Sequence, residues 1–243
     1  MPGGGKCPNE EDVCGGRGRD LRRERERTMR PSRGHPLVEI ILGLLPVLAI
    51  MWVTPLLIEN RTDFLRVNTL LSLLAFSVAV ASNVIHREGF RDIGLRVDNL
   101  GRALRWLALP TIAAALVILA IGFAVGSVNL GDRFFFHLKT LPPWALVQQY
   151  ALQGFIHRRL HDLWGGGRRT AFGVAVIFAA LHLPNPVLVV GTFFGGYVWA
   201  RAFQCEPNLF ALAASHTLLS ALLANAFPAS ILPNMKVGWG YWG

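Results

Sequence analysis

Residues 106–128 read WLALPTIAAALVILAIGFAVGSV and contain no charged side chain. A helix rises about 1.5 Å per residue, so roughly 20 apolar residues cross the ~30 Å hydrocarbon core of a bilayer. Inside hydrocarbon a lone segment must satisfy its own N–H and C=O groups, which it does as a helix. Working outward, six further apolar runs accompany this one, at residues 37–58, 68–85, 142–156, 170–183, 187–203 and 207–227. The chain therefore reads as all-α, a polytopic transmembrane helical bundle of about seven spans.

Composition agrees with that reading. Hydrophobic residues make up 52% of the chain and charged residues 16%, against roughly 25% charged in a soluble domain. Mean hydropathy is +0.40. A soluble α/β domain would alternate short apolar runs with polar helices, and this chain does not. The formal charge of +9 does not point to nucleic acid, because the basic residues sit between the apolar runs, where lipid headgroups meet them. Cationic segments fall before the first run, between the second and third, between the fourth and fifth, and at Arg201 after the sixth. That alternation puts the N-terminus in the cytoplasm and the C-terminus outside. Residues 1–35, with eight arginines from Arg17 to Arg33, read as a basic disordered tail. Met29 is a plausible true start. Residues 36–243 read as one membrane-embedded domain.

Several local features refine the picture. Pro46 and Pro55 mark kinks in the first span. Glu39 lies where that span begins, facing either headgroups or the bundle. The loop after the second span carries Gly94-Leu95-Arg96 and Asn99-Leu100-Gly101, read as a turn and a short interfacial helix. Pro142 and Pro143 open the fourth span, where a first helical turn tolerates proline. Pro184-Asn185-Pro186 is a turn, and Gly191, Gly195 and Gly196 give the sixth span a smooth face for close packing.

Polar side chains interrupt three of the spans. Gln148, Gln149 and Gln153 lie in the fourth, His182 closes the fifth, and His216 sits near the middle of the seventh with Ser215 beside it and Ser220 one turn on. Gln149 and Gln153 are four residues apart and share a helix face, while Gln148 is turned about 100° away. Amides of this kind serve as glue between helices, worth roughly 1 kcal/mol each. Intramembrane polar groups also mark functional sites. If the fourth, fifth and seventh spans meet, the glutamines and the two histidines satisfy one another, and Asn225 extends the polar track.

This pattern resembles the CAAX-prenyl-protease and bacteriocin-immunity-like family of polytopic membrane endopeptidases, also called ABI or CPBP. Its first motif, a glutamate pair followed after three residues by arginine and commonly glycine, is matched in frame by Gln148-Gln149, Tyr150-Ala151-Leu152 and Gln153-Gly154. Its second, phenylalanine and histidine separated by three residues, is matched by Phe178 and His182. Its third, a histidine with a polar residue one turn later, is matched by His216 and Ser220. The motifs keep their order across residues 142–225. Gly94-Leu95-Arg96 also looks like a feature often seen upstream.

The resemblance implies an integral multi-pass protein of a bacterial-type plasma membrane that cleaves a membrane-associated or lipidated protein or peptide, with no nucleic acid involved. It implies a catalytic set of Gln148, Gln149, Gln153, His182, His216 and Ser220. In the family a glutamate helped by the first histidine activates water, and the second histidine lines the oxyanion site. Here all the carboxylates of the first motif are glutamines. A glutamine cannot accept a proton near neutral pH, so it cannot be a general base. The arginine is replaced as well, which avoids a buried unpaired cation. No cofactor is expected. Two histidines without a neighbouring thiolate or carboxylate fall short of a zinc set. Three readings stay open: an endopeptidase in which histidine moves the proton, a catalytically inactive relative that binds a membrane peptide or partner, and a small transporter. The absence of acidic residues in spans two to seven weakens a proton-coupled version of the last.

Overall fold

The computed structural model describes residues 34–233 and 235–242. The basic tail up to residue 33, with the alternative start at Met29, lies outside the described residues. Those residues form helices and turns, with no strand among them. Helix α1 (Pro36–Leu57) contains a π segment at Ala49–Val53. It is followed by α2 (Arg61–Ile85), α3 (Leu100–Ala124) and α4 (Asp132–Gln149). A second π segment, Tyr150–Ile156, leads from α4 into α5 (His157–Trp164). Helices α6 (Arg168–Ala180), α7 (Pro186–Cys205) and α8 (Leu209–Ala226) complete the bundle.

Five of these helices, α1, α2, α3, α7 and α8, are long and apolar enough to cross a membrane. The other two expected spans are helices of a different kind. The α4–α5 stretch carries charge at Asp132, Arg133 and Lys139 and buried glutamines in its middle, and α6 has only 13 residues. Helix α6 and the π segment after α4 are largely buried, whereas α4 itself buries only Ala145 and Gln149. Helix α8 is central, wedged between α3 and α4, while α6 and α7 form an antiparallel pair and α1 packs on α2 and α5. An all-round apolar surface suits α8 to that position. By contrast α2 and α3 present most of their leucines, isoleucines and valines outward, as lipid-facing helices do.

Helix starts follow local chemistry. The Asn60 side chain accepts from the N–H groups of Thr62 and Asp63 at 2.8 and 3.2 Å, so α2 begins at Arg61 instead of at residue 68. Asn185 caps α7 by accepting from Leu188 N–H at 3.2 Å, with Pro186 at the first position. Asn208 caps α8 by accepting from Ala211 N–H at 2.9 Å. The expected interfacial helix near Asn99-Leu100-Gly101 is the first turn of α3. Pro142 and Pro143 lie within α4 and do not open it. Both prolines are exposed there.

The loop after α2 is pinned to the α7–α8 turn. Leu209 N–H donates to the Gly94 carbonyl at 2.8 Å, and the Asn208 amide donates to Arg96 O and Asn99 Oδ1 at 2.7 and 2.8 Å. Asn99 in turn donates to Glu206 and to the Pro207 carbonyl. Gly94 has φ +83°, and a Cβ there would lie 2.7 Å from the Phe203 ring. Glycine is required both for the backbone and for the close approach. In the same loop the Arg96 guanidinium donates to Asp98 and holds its carboxyl down at about 2. At the opposite end, Gly238 N–H donates to the Leu183 carbonyl at 2.7 Å, which seats the C-terminal aromatic segment beside α1.

Candidate active site

Helix α4 packs on α8 and brings Gln149 to His216, and Phe178 of α6 lies against the rings of both His182 and His216. Gln149, the last residue of α4, has no exposed surface, and its Nε2 donates to His216 Nδ1 at 3.3 Å. That bond fixes the His216 proton on Nε2, because an amide nitrogen only donates. The His216 ring lies 4.7 Å from the Trp199 ring and edge-on to Phe178 at 5.9 Å. His182 also lies edge-on to the same phenylalanine, at 4.7 Å. Its Nδ1 contacts the Phe178 carbonyl at 2.7 Å. A carbonyl only accepts, so the His182 proton is on Nδ1 and its Nε2 carries a free lone pair. Phe178 thus touches two imidazoles of opposite tautomer, one with a donor at Nε2 and the other with an acceptor.

The remaining candidates divide. Gln153 is fully buried but turns away from His216. Its Oε1 accepts from His157 Nδ1 at 2.7 Å, and Gln204 Nε2 donates to His157 Nε2 at 3.2 Å. The π segment between Gln149 and Gln153 sends these two amides to different histidines. Gln148 and Ser220 are half-buried. Ser215 is committed elsewhere, accepting from Trp199 Nε1 at 3.0 Å and bonded to Thr111 Oγ1 at 2.7 Å. The Asn225 amide contacts His137 Nδ1 at 2.9 Å, away from the pair.

Gln149 Oε1 and Gln153 Nε2 are buried without a hydrogen-bond partner among the described residues. Around His157 the charges that act on the ring all come from basic groups, His161, Arg158 and Arg201. Restoring the resembled motif's cation alone, by Gln153→Arg, is therefore expected to destabilise the protein by about 2–4 kcal/mol. Unfolding of the purified variant in detergent measures this, and a melting temperature equal to the parent's would refute it.

A charged cluster that sequence reading passed over lies behind the π segment. Arg159, with no exposed surface, approaches Glu88 Oε2 at 2.6 Å, Glu39 Oε2 at 3.6 Å and Asp162 Oδ2 at 3.6 Å. Its nitrogens make no aligned hydrogen bond, so charge alone holds it. His86 bridges Glu39 and Asp162 at 3.2 and 3.3 Å, Ser82 donates to Glu39 at 2.5 Å, and Arg158 donates to Glu88 at 2.8 Å. Glu39 faces the bundle. In the sequence Arg158 and Arg159 look like any cationic loop after a span. The one available signal is that three acidic residues, Glu39, Glu88 and Asp162, occur near the ends of three apolar runs. Among the described residues no three His, Cys, Asp or Glu side chains converge as a metal-binding group.

Residues 141–222 match the family model described as type II CAAX prenyl endopeptidase, Rce1-like. The matched stretch begins inside α4 and ends inside α8, so it contains the whole paired-imidazole constellation. No curated protein and no solved structure matches the chain.

Proposed function

We propose that this chain, a CAAX-protease-like membrane protein by its match to the Rce1-like family, is an endopeptidase that cuts a membrane-associated or lipidated protein. The observation that carries the proposal is the pair of opposite tautomers at His182 and His216. With no carboxylate at positions 148, 149 or 153, His182 Nε2 takes the part of the base. It removes a proton from water as the water oxygen adds to the substrate carbonyl carbon. His216 Nε2–H donates to the oxygen that becomes negative, and Gln149, enclosed behind the ring, holds it by donating to Nδ1. The proton on His182 then passes to the leaving amine as the C–N bond breaks. General base catalysis and one oxyanion donor each account for a sizeable acceleration, about 10²–10⁴-fold and 10²–10³-fold. The scheme calls for no cofactor, since two imidazoles without a third protein ligand fall short of a zinc set.

The all-amide first motif favours a second reading, in which the same neutral groups bind a membrane peptide without cutting it. Orientation follows from charge. Arg87, Arg91, Arg102, Arg105, Arg168 and Arg169 lie at one end of the bundle, joined there by the Gly94–Leu209 and Gln204–Gly167 hydrogen bonds. That end is assigned to the cytoplasm of a bacterial-type plasma membrane, with the N-terminus beside it.

The test is a cleavage assay. Purified protein in lipid is mixed with membrane-anchored and prenylated peptides and the products are read by mass spectrometry. Cleavage at defined bonds is the expected result. Intact peptides, under conditions where a glutamate-pair relative cuts the same set, would favour the binding reading.

A further inference from the structure

We propose that Asn83, Glu88 and Arg159 are positioning residues for the His216 imidazole and act through the π segment at Tyr150–Ile156; the proposal rests on the endopeptidase reading. A π segment is rare inside an α-helix because its widened turn loosens the backbone bonding, and such segments persist mostly at functional sites. Something outside the helix has to hold it. Asn83 is oriented with its oxygen accepting from the Tyr150 hydroxyl at 3.1 Å, since the reverse orientation would set that oxygen against acceptors. Its amide nitrogen then donates to the Gly154 carbonyl at 3.2 Å and to Glu88 Oε2 at 3.0 Å. One side chain of α2 thus grips the first residue of the π segment and a backbone carbonyl four residues along. Glu88 also meets Arg158 and Arg159, immediately past the segment's other end. Arg159 is held in turn by Glu39 and Asp162.

The brace has a geometric consequence. Gln149 directly precedes the π segment and bonds His216, while Gln153 within it bonds His157. If the segment relaxed to an α-helix, one residue of twist, about 100°, would be redistributed between α4 and α5. With α5 fixed by Arg159, that rotation falls on Gln149 and removes its amide from His216. The His216 proton is then no longer confined to Nε2.

The test reads that proton directly. The full chain, labelled with 15N-histidine in lipid nanodiscs, is observed by solid-state NMR, and the signals are assigned by replacing each histidine in turn. The parent is expected to show an unprotonated Nδ1 and protonated Nε2 for His216, and the reverse for His157. In Asn83→Leu both His216 signals are expected to shift away from the parent positions while thermal unfolding stays cooperative. Tyr150→Phe, which removes only the hydroxyl, should give a smaller shift of the same kind. Where the parent cleaves peptide, kcat falls in both variants and KM is retained. A folded Asn83→Leu whose His216 signals coincide with the parent's would overturn the proposal. If that variant does not fold, Tyr150→Phe decides by the same criterion. The spectra do not depend on turnover, so a parent that cuts nothing would end the endopeptidase reading and leave the positioning result standing on its own.

Discussion

His182→Ala is expected to lower peptide cleavage by about 10²–10⁴-fold, the range associated with loss of a general base. The fold should survive. His182 lies past the end of α6 and is half-buried, and its imidazole bonds to the Phe178 carbonyl of the helix it follows. Its loss leaves no other side chain without a partner. His216→Ala is expected to be slower by about 10²–10³-fold, as for an oxyanion donor. It carries a stability penalty as well, because Gln149 then has neither of its polar atoms paired in the bundle interior. Initial rates of both variants against the parent, with unfolding followed in parallel, separate the two roles. A His182→Ala protein that cleaves at the parent's rate would remove His182 from the chemistry.

Arg159→Met is expected to destabilise the protein by about 3–5 kcal/mol, the usual consequence of removing one partner from a buried ion pair. The guanidinium is fully enclosed, and Glu88 is 7% exposed. Without Arg159, Glu88 keeps Arg158, while Glu39 and Asp162 keep the His86 imidazole but no arginine or lysine among the described residues. Methionine fills much of the volume, so the loss reports charge more than packing. For a chain of this size the melting temperature should fall by roughly 6–20 °C. Adding Glu88→Gln to Arg159→Met should recover part of the loss, since it removes a carboxylate that the first change stranded. A single variant that melts with the parent would mean that water or lipid headgroups already screen the cluster.

Much of the architecture is legible in the apolar runs, because a bilayer demands helices of a set length wherever it is crossed. The seven expected segments all appear as helices in the expected order. Their starts are less legible. Arg61, Leu100 and Asp132 begin helices well before the hydrophobicity does, since caps and polar first turns extend them beyond the apolar stretch. The meeting of Gln149 with His216 follows the contact of α4 with α8, which the polar pattern implies. The divergence of Gln153 toward His157 does not, because Gln149 and Gln153 share a face only in a regular α-helix. Nothing in Tyr150-Ala151-Leu152-Gln153-Gly154 announces a wider turn. The charged cluster is illegible for a related reason. Arg158 and Arg159 satisfy the charge rule for a cytoplasmic loop whether they face water or carboxylates, and only tertiary structure separates the cases.

Ser215 immediately precedes His216, which invites its reading as a hydrolase nucleophile. Its hydroxyl is shared between the Trp199 indole and Thr111, and the neighbouring imidazole is occupied by Gln149. A surface survey with fluorophosphonate probes, which report activated serines, would therefore pass over this protein even in a membrane where it was abundant and active. An endopeptidase of the kind proposed above would be found in such a proteome by following the fate of cleaved membrane polypeptides instead of by tagging a serine.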